Sequence, residues 1–289
     1  MIIPEKKLHS GFKMPVFGVG TWTMGGKFER DKSSNDKADI AAIKEAVKMG
    51  VTHIDTAEMY AGGHAEEMVG EAIKGFERKK LFLVSKVSPS NLTYEGILKS
   101  AKRSLEHLNT DYLDLYLIHM PNPSIPIKES MKAMDHLLEQ GMIRNIGLSN
   151  FSVERFEQAQ SHTKNKIVAN QLHYNLIFRE AEAKGLVEYC RDNDVMLIAW
   201  RPVQKGLLTG SDIDILNEMA RKYEKTAAQI AINWLVSQPN VVTLSKTSNP
   251  QHLRENLGAI GWNMDNKDIE KLRKEFPGQK DVSDAVPLI

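Results

Sequence analysis

A strand-like apolar run followed by a helical pattern recurs eight times along this chain, with no linker between units. The runs are Val16–Val19, Thr52–Ile54, Leu81–Ser85, Leu113–Ile118, Ile143–Leu148, Val168–Gln171, Met196–Ala199 and Val241–Leu244. Helical patterns lie between them at Lys37–Met49, Ala65–Lys74, Tyr94–Leu108, Lys128–Gln140, Ser152–Ser161, Ala181–Asn193, Ile213–Tyr223 and Thr226–Ser237. Pro250–Gly258 and Asn266–Phe276 follow the last run. Such alternation calls for a parallel sheet covered by helices, and eight units in 289 residues suit one closed (β/α)8 TIM barrel spanning residues 1–289. A doubly wound dinucleotide fold is the alternative. Against it, the GxG of GVGTWTMGG does not run directly into a helix. The stretch KKLHSGFKMPV turns at Ser10–Gly11 and reads as a hairpin closing the barrel floor. Asn266–Phe276 reads as an extra C-terminal helix.

Composition narrows the partners. A formal charge of +1 favours neither nucleic acid nor an anionic membrane. No run approaches the ~20 apolar residues of a membrane span, and Met1–Pro15 lacks the apolar segment of a signal peptide. The one cysteine, Cys190, sits in an apolar-periodic stretch and reads as a buried structural thiol. A cytoplasmic protein is expected. No apolar stripe or heptad marks an oligomer interface, so a monomer is expected.

In a barrel, polar residues at the carboxyl ends of strands converge on one mouth. Those ends carry Asp55, Lys86, His119, Ser149–Asn150, Gln171, Trp200 and Lys246, and Tyr60 follows Asp55 on a loop. A phenol is a poor acid at neutral pH, and a neighbouring ammonium lowers its pKa. Lys86 is the expected cation, Asp55 its counter-charge, and His119 a group that orients a carbonyl oxygen. A metal-dependent barrel hydrolase built on His53, Asp55 and His119 is the rival. It is discounted here on the expectation that His53 and Asp55 face opposite sides of their strand.

Five segments carry a family resemblance. GVTHIDTAEMYAGGHAEEMVGEAIK, LIHMP, IRNIGLSNF, ANQLHYN and SKTSNPQHLRENL occur in this order, and with them the chain resembles the aldo-keto reductases over nearly its whole length. The resemblance implies NADP(H)-linked reduction of aldehydes and ketones, small aliphatic, aromatic or sugar-derived, without a metal. Asp55, Tyr60, Lys86 and His119 match the catalytic tetrad. Ser149, Asn150 and Gln171 match the nicotinamide-carboxamide residues, and Trp200 stands where an aromatic stacks on the nicotinamide. Gly20, Thr21, Trp22 and Asp55 are expected near the cofactor. Arg201, Pro202 and Val203 replace a common Ser-Pro-Leu. The segment Gln204–Ser211, with Lys205 and Gly206, suits the pyrophosphate and is too short to strap over it. Lys246, Thr247 and Ser248 match the adenosine 2′-phosphate cluster, with His252, Arg254, Glu255 and Asn256 in the helix beyond. His252 stands where the family often has arginine, so NADPH is the implied cofactor and NADH a second option. Trp22, Met24, Met59, Tyr60, His119 and Met120 are the expected substrate wall, left open by a short tail after Phe276. A non-catalytic NADP(H)-binding barrel, acting as sensor or partner subunit, is the alternative function.

Overall fold

The computed structural model describes residues 2–210, 212–276 and 288. Ten strands occur in it. β1 (Glu5–Lys7) and β2 (Lys13–Pro15) pair antiparallel. β3 (Phe17–Gly20), β4 (His53–Asp55), β5 (Phe82–Val87), β6 (Leu115–Ile118), β7 (Ile146–Ser149), β8 (Ile167–His173), β9 (Met196–Trp200) and β10 (Val241–Ser245) form a closed parallel barrel in sequence order, β10 returning to β3.

Helices cover the outside: α1 (Asp36–Lys48), α2 (His64–Ala72), α3 (Tyr94–Leu108), α4 (Ile127–Glu139), α5 (Val153–Gln160), α6 (Glu180–Ala183) and α7 (Leu186–Asp192). α8 (Asp214–Tyr223) and α9 (Ala227–Val236) both precede β10, and α10 (Pro250–Leu257) and α11 (Asn266–Glu275) follow it. α11 is the extra C-terminal helix that the sequence pattern suggested. The hydroxyls of Thr93, Ser152 and Thr226 accept from backbone amides in the first turns of α3, α5 and α9, which is why those helices start where they do.

Two cores result. Every second strand residue points inward, so Val84, Leu115, Leu117, Ala169, Met196 and Ile198 fill the barrel. Leu8, Phe12 and Met14 of the hairpin plug its floor. The alternate residues, among them Ile54, Leu83, Tyr116, Ile118 and Leu148, meet helix residues such as Ile43, Ile97 and Met134 in the outer core.

Two expectations shift. The pattern at Ala181–Asn193 is two helices, because Gly185 adopts φ 70°, a left-handed conformation that interrupts the ladder. Leu113 and Ile143 make one isolated bridge, and regular pairing begins only at Leu115 and Ile146. Ser211 and the tail after Phe276, except Leu288, lie outside the described residues.

Candidate active site at the barrel mouth

β4 and β5 carry the centre of the site. Asp55 ends β4, paired with Val84, and Lys86 sits two residues further along the same inner face of β5. Lys86 is fully buried and Asp55 nearly so. Lys86 Nζ lies 2.6 Å from Asp55 Oδ1, 2.8 Å from the Thr56 carbonyl oxygen and 3.2 Å from the Tyr60 hydroxyl oxygen. The three N–H bonds of the ammonium are thereby spent, which is what makes a buried lysine tolerable. Burial works against its charge. Asp55 and Tyr60 outweigh that and hold Lys86 above its ordinary value.

The other Asp55 oxygen accepts from Gln171 Nε2 at 2.7 Å. Tyr60 opens a tight turn, Tyr60–Gly63, anchored by Ala61 N–H on the Lys27 carbonyl at 2.7 Å. Its oxygen accepts from Lys86, so its own proton is left for a group in the mouth. Burial raises the Tyr60 pKa, while Lys86 and Arg201 pull it down and Asp55 pushes it up. The net direction is upward. The lowering expected from Lys86 is present as a contribution, but burial exceeds it.

His119 follows β6 with its ring 5.6 Å from that of Tyr60, edge to face. Burial first, and Lys86 second, hold its pKa well below the ordinary value, so the imidazole is neutral at pH 7. Its backbone carbonyl accepts from Asn150 Nδ2 at 3.1 Å. Asn150 Nδ2 also donates to Ser149 Oγ at 3.0 Å, and Ser149 Oγ donates to the Gln171 carbonyl at 3.0 Å.

His53 faces inward with Asp55, as the two-residue repeat of a strand requires; the expectation that it faces away is incorrect. Its ring sits where a Cβ on Gly18 would lie 2.3 Å from Nδ1, so only glycine fits beside it on β3. It meets Phe82 edge to face at 5.8 Å. Neither ring nitrogen has a hydrogen-bond partner, and among the described residues no three His, Cys, Asp or Glu side chains are grouped so that they could hold a metal ion.

Burial lowers the His53 pKa to about 4, against a pull upward from Asp55 and a smaller push downward from Lys86. The unfolded chain takes up a proton near the ordinary 6.5, which the folded chain refuses until about 4. This contribution to stability is present above pH 6.5 and is lost as pH falls toward 4, at about 1.4 kcal/mol per pH unit. Urea unfolding at pH 7, 6 and 5 is expected to show that slope shallower by about one proton in His53→Gln. An unchanged slope contradicts the assignment.

The remaining residues fall into three groups. Trp200 stacks on His173 at 4.1 Å, His173 on Phe178 at 4.1 Å, and the Arg201 guanidinium carbon lies 4.9 Å from the Trp200 ring centre. Pro202 is buried and Val203 packs on the outer core, while buried Gln204 accepts from Asn175 Nδ2 and pairs with His173 Nε2. Arg201, Gln204, Lys205 and Gly206 all have positive φ, and Lys205 and Gly206 stand exposed on this compact turn. The N–H groups of Gln204, Gly206 and Leu207 donate to the carbonyls of Arg201, Val203 and Gln204, so the turn is closed on itself and Lys205 is the charged side chain that it presents.

At the end of β10, Lys246 is exposed. Ser248 Oγ donates to Asp39 of α1 at 2.7 Å, and Thr247 Oγ accepts from Asn249 N–H at 3.1 Å. Arg254 faces Glu45 at 3.6 Å, His252 is exposed, and Glu255 is half-buried with its carbonyl bound by Gln229. Asn256 is buried and donates to Ser245. Asn249, which the sequence reading passed over, caps α10 between these residues.

Among the wall residues, Trp22, Met59 and Met120 are half-buried near the mouth, and Trp22 meets Tyr60 edge to face at 5.0 Å. Gly20 and Thr21 are enclosed; the Thr21 hydroxyl donates to the Asp55 carbonyl at 3.1 Å and acts as a strut. Met24 is not wall. It is wholly buried in the outer core.

Glu58 is a further residue the sequence reading missed. Its buried carboxylate accepts from Ser88 N–H at 2.6 Å and Asn91 Nδ2 at 3.0 Å, and pairs with Arg103 at 2.5 Å. These bonds fasten the loop between Asp55 and Tyr60 to the segment after β5. A second acid three residues after Asp55, in DTAEMY, was the available signal.

The mouth of this closed parallel barrel thus holds a buried lysine–carboxylate pair whose ammonium also donates to a phenol oxygen. The family model described as aldo/keto reductase matches residues 16–275, and the chain belongs to that family. It is similar to methylglyoxal reductase YeaE of Escherichia coli (strain K12), 35% identical over 92% of this chain and 93% of that protein. Glyoxal reductase of Bacillus subtilis (strain 168) is 34% identical over 92% and 90%. The crystal structure of the thermostable aldo-keto reductase Tm1743 with the inhibitor epalrestat superposes with a TM-score of 0.90, at 43% identity, over 94% of this chain and 99% of that one. An aldo-keto reductase from Klebsiella pneumoniae, solved in complex with NADPH, gives a TM-score of 0.84 at 31% identity over 97% and 98%.

Proposed function

We propose that this chain reduces aldehydes and ketones to alcohols with NADPH, Tyr60 delivering the proton. The observation that carries this reading is the Lys86 ammonium, whose third N–H binds the Tyr60 oxygen and leaves the phenol's proton unspent. When bound, NADPH supplies the hydride. Tyr60 gives its proton to the carbonyl oxygen as carbon is reduced, and Lys86 holds the phenolate that remains until water reprotonates it. Asp55 balances Lys86, and Gln171 fixes the second Asp55 oxygen. The neutral His119 ring, beside Tyr60, orients the carbonyl oxygen.

The residues present fit the cofactor. Asn150 Oδ1 is a buried acceptor without a partner beside His119 and Ser149, which suits a carboxamide N–H. Trp200 stacks on His173 with Arg201 over its ring, so a nicotinamide would share that ring with Arg201. Exposed Lys205 suits a pyrophosphate, and Lys246 with Thr247 suits a 2′-phosphate. Two features weaken that last grip: Ser248 is engaged by Asp39, and His252 is not an arginine. Lys246 therefore carries most of the NADPH preference. The relatives named for methylglyoxal and glyoxal put small dicarbonyls on the substrate panel.

The test follows absorbance loss of NADPH and of NADH against a panel of aldehydes, ketones and dicarbonyls. We expect turnover, with kcat/KM for NADPH roughly tenfold or more above NADH, and most of that preference removed in Lys246→Met. Tight NADPH binding without turnover of any carbonyl favours the non-catalytic alternative. Comparable kcat/KM for both cofactors refutes the preference. We also place the protein in the cytoplasm, acting as a monomer. Its single thiol, Cys190, is buried with its pKa pushed up to about 12 by burial, and no helix among the described residues is long and apolar enough to cross a membrane.

A further inference from the structure

Large apolar side chains left in water are few among the described residues, and one of them stands at the mouth. Phe28 is 60% exposed. Its ring meets Trp22 edge to face at 5.2 Å, and Trp22 meets Tyr60 in the same manner at 5.0 Å. Three rings thus step outward from the proposed acid to the surface.

The segment that presents Phe28 is built for it. Bridges Thr23↔Gly26 and Gly26↔Arg30 fold it back on itself, and Asp31 N–H binds the Gly25 carbonyl at 2.7 Å. Ala61 N–H binds the Lys27 carbonyl, which ties the residue before Phe28 to the residue after Tyr60. A Cβ on Gly62 would lie 3.8 Å from the Phe28 carbonyl oxygen, so the Tyr60 turn and the Phe28 backbone are neighbours. The backbone that carries Phe28 is therefore held beside the Tyr60 turn before any ligand arrives, with the ring resting on Trp22. A held aromatic face offers apolar contact with little conformational entropy left to lose.

We propose that Phe28 is a specificity-determining residue. In this reading, which rests on Tyr60 as the proton donor, the site favours carbonyls bearing a flat apolar or aryl arm over small dicarbonyls. A carbonyl oxygen at Tyr60 leaves its substituent to run over Trp22, one ring step away, and then Phe28, a second step away. An arm of two aryl rings spans both steps. Methylglyoxal has no group that reaches the second, so it gains nothing from Phe28.

The experiment compares kcat/KM for 4-phenylbenzaldehyde and for methylglyoxal, both with NADPH, in the wild type, Phe28→Ala, Phe28→Tyr and Tyr60→Phe. The wild type is expected to prefer 4-phenylbenzaldehyde. Phe28→Ala is expected to cut that preference ratio roughly tenfold, mainly through KM, because a contact made equally in ground and transition states is lost. Phe28→Tyr keeps the ring and is expected to restore the ratio. A ratio unmoved by Phe28→Ala, with Tyr60→Phe inactive on both substrates, overturns this inference alone. Full activity in Tyr60→Phe overturns the proposed function and this inference with it. Circular dichroism of Phe28→Ala checks folding, which an exposed side chain leaves intact.

Discussion

Tyr60→Phe is expected to fold as the wild type does and to lose roughly 100- to 10,000-fold in kcat, the range for removing a positioned general acid. The substitution deletes one oxygen that accepts a 3.2 Å bond from Lys86 and leaves the ring in its edge contacts with Trp22 and His119. Packing is preserved, so the loss is in proton delivery rather than in architecture. Cofactor affinity, read by quenching of tryptophan fluorescence, is expected to change little. The pH dependence carries a further sign. Burial holds the Tyr60 pKa above 10.0, so the phenol stays protonated through the neutral range and into moderate alkali. Carbonyl reduction therefore should not fall through Tyr60 ionisation below pH 10, whereas alcohol oxidation, which needs the phenolate, should climb with pH across the same range. Retention of near-normal kcat in Tyr60→Phe rules the residue out as the acid.

The second large effect is expected on stability as well as rate. Lys86→Met removes the positive half of a buried pair and leaves the Asp55 carboxylate with Gln171 alone. Breaking a buried pair from one side costs about 3–5 kcal/mol, because an uncompensated charge remains in a poorly solvated place. Urea unfolding at pH 7 measures it. Adding Asp55→Asn to Lys86→Met is expected to recover part of the loss, since the stranded charge is then gone. Activity is not recovered, as neither variant can stabilise the Tyr60 phenolate. The folded pKa of Lys86 lies above the ordinary 10.5, so its contribution is present below pH 10.5 and is lost only as pH rises through the folded value. The gap between wild type and Lys86→Met should accordingly be level from pH 7 to about 10. Equal stability of the two proteins contradicts a charged, buried pair.

The sequence alone exposed the barrel because burial on both faces of a parallel strand leaves an apolar run whatever its neighbours are. Lys86 and Asp55 stood out for the converse reason: charge at the end of an apolar run needs a partner. Orientation was harder. His53 and Asp55 share a face by the strand repeat, and setting them on opposite faces was a misapplied period, not a failure of the pattern. Contacts that close across the barrel had no local signature. Gln171 reaches Asp55 over 116 positions of sequence, and Ser248 reaches Asp39 over 209. Met24 and Phe28 show the same limit at one loop. Both are large and apolar, yet the fold of residues 21–31 buries the first in the outer core and leaves the second in water. Only the backbone bridges around Gly26 decide between them.

Tyr60 and its buried neighbours are proposed to assist transfer of a hydride to a carbonyl carbon. The most direct measurement uses NADPH deuterated at both C4 positions of its nicotinamide, an aldehyde substrate, and mass spectrometry of the alcohol formed. One deuterium on the carbinol carbon of each product molecule, formed by the wild type and all but absent with Tyr60→Phe, is the predicted result. An alcohol without deuterium at that carbon, or equal labelled product from both proteins, would contradict it.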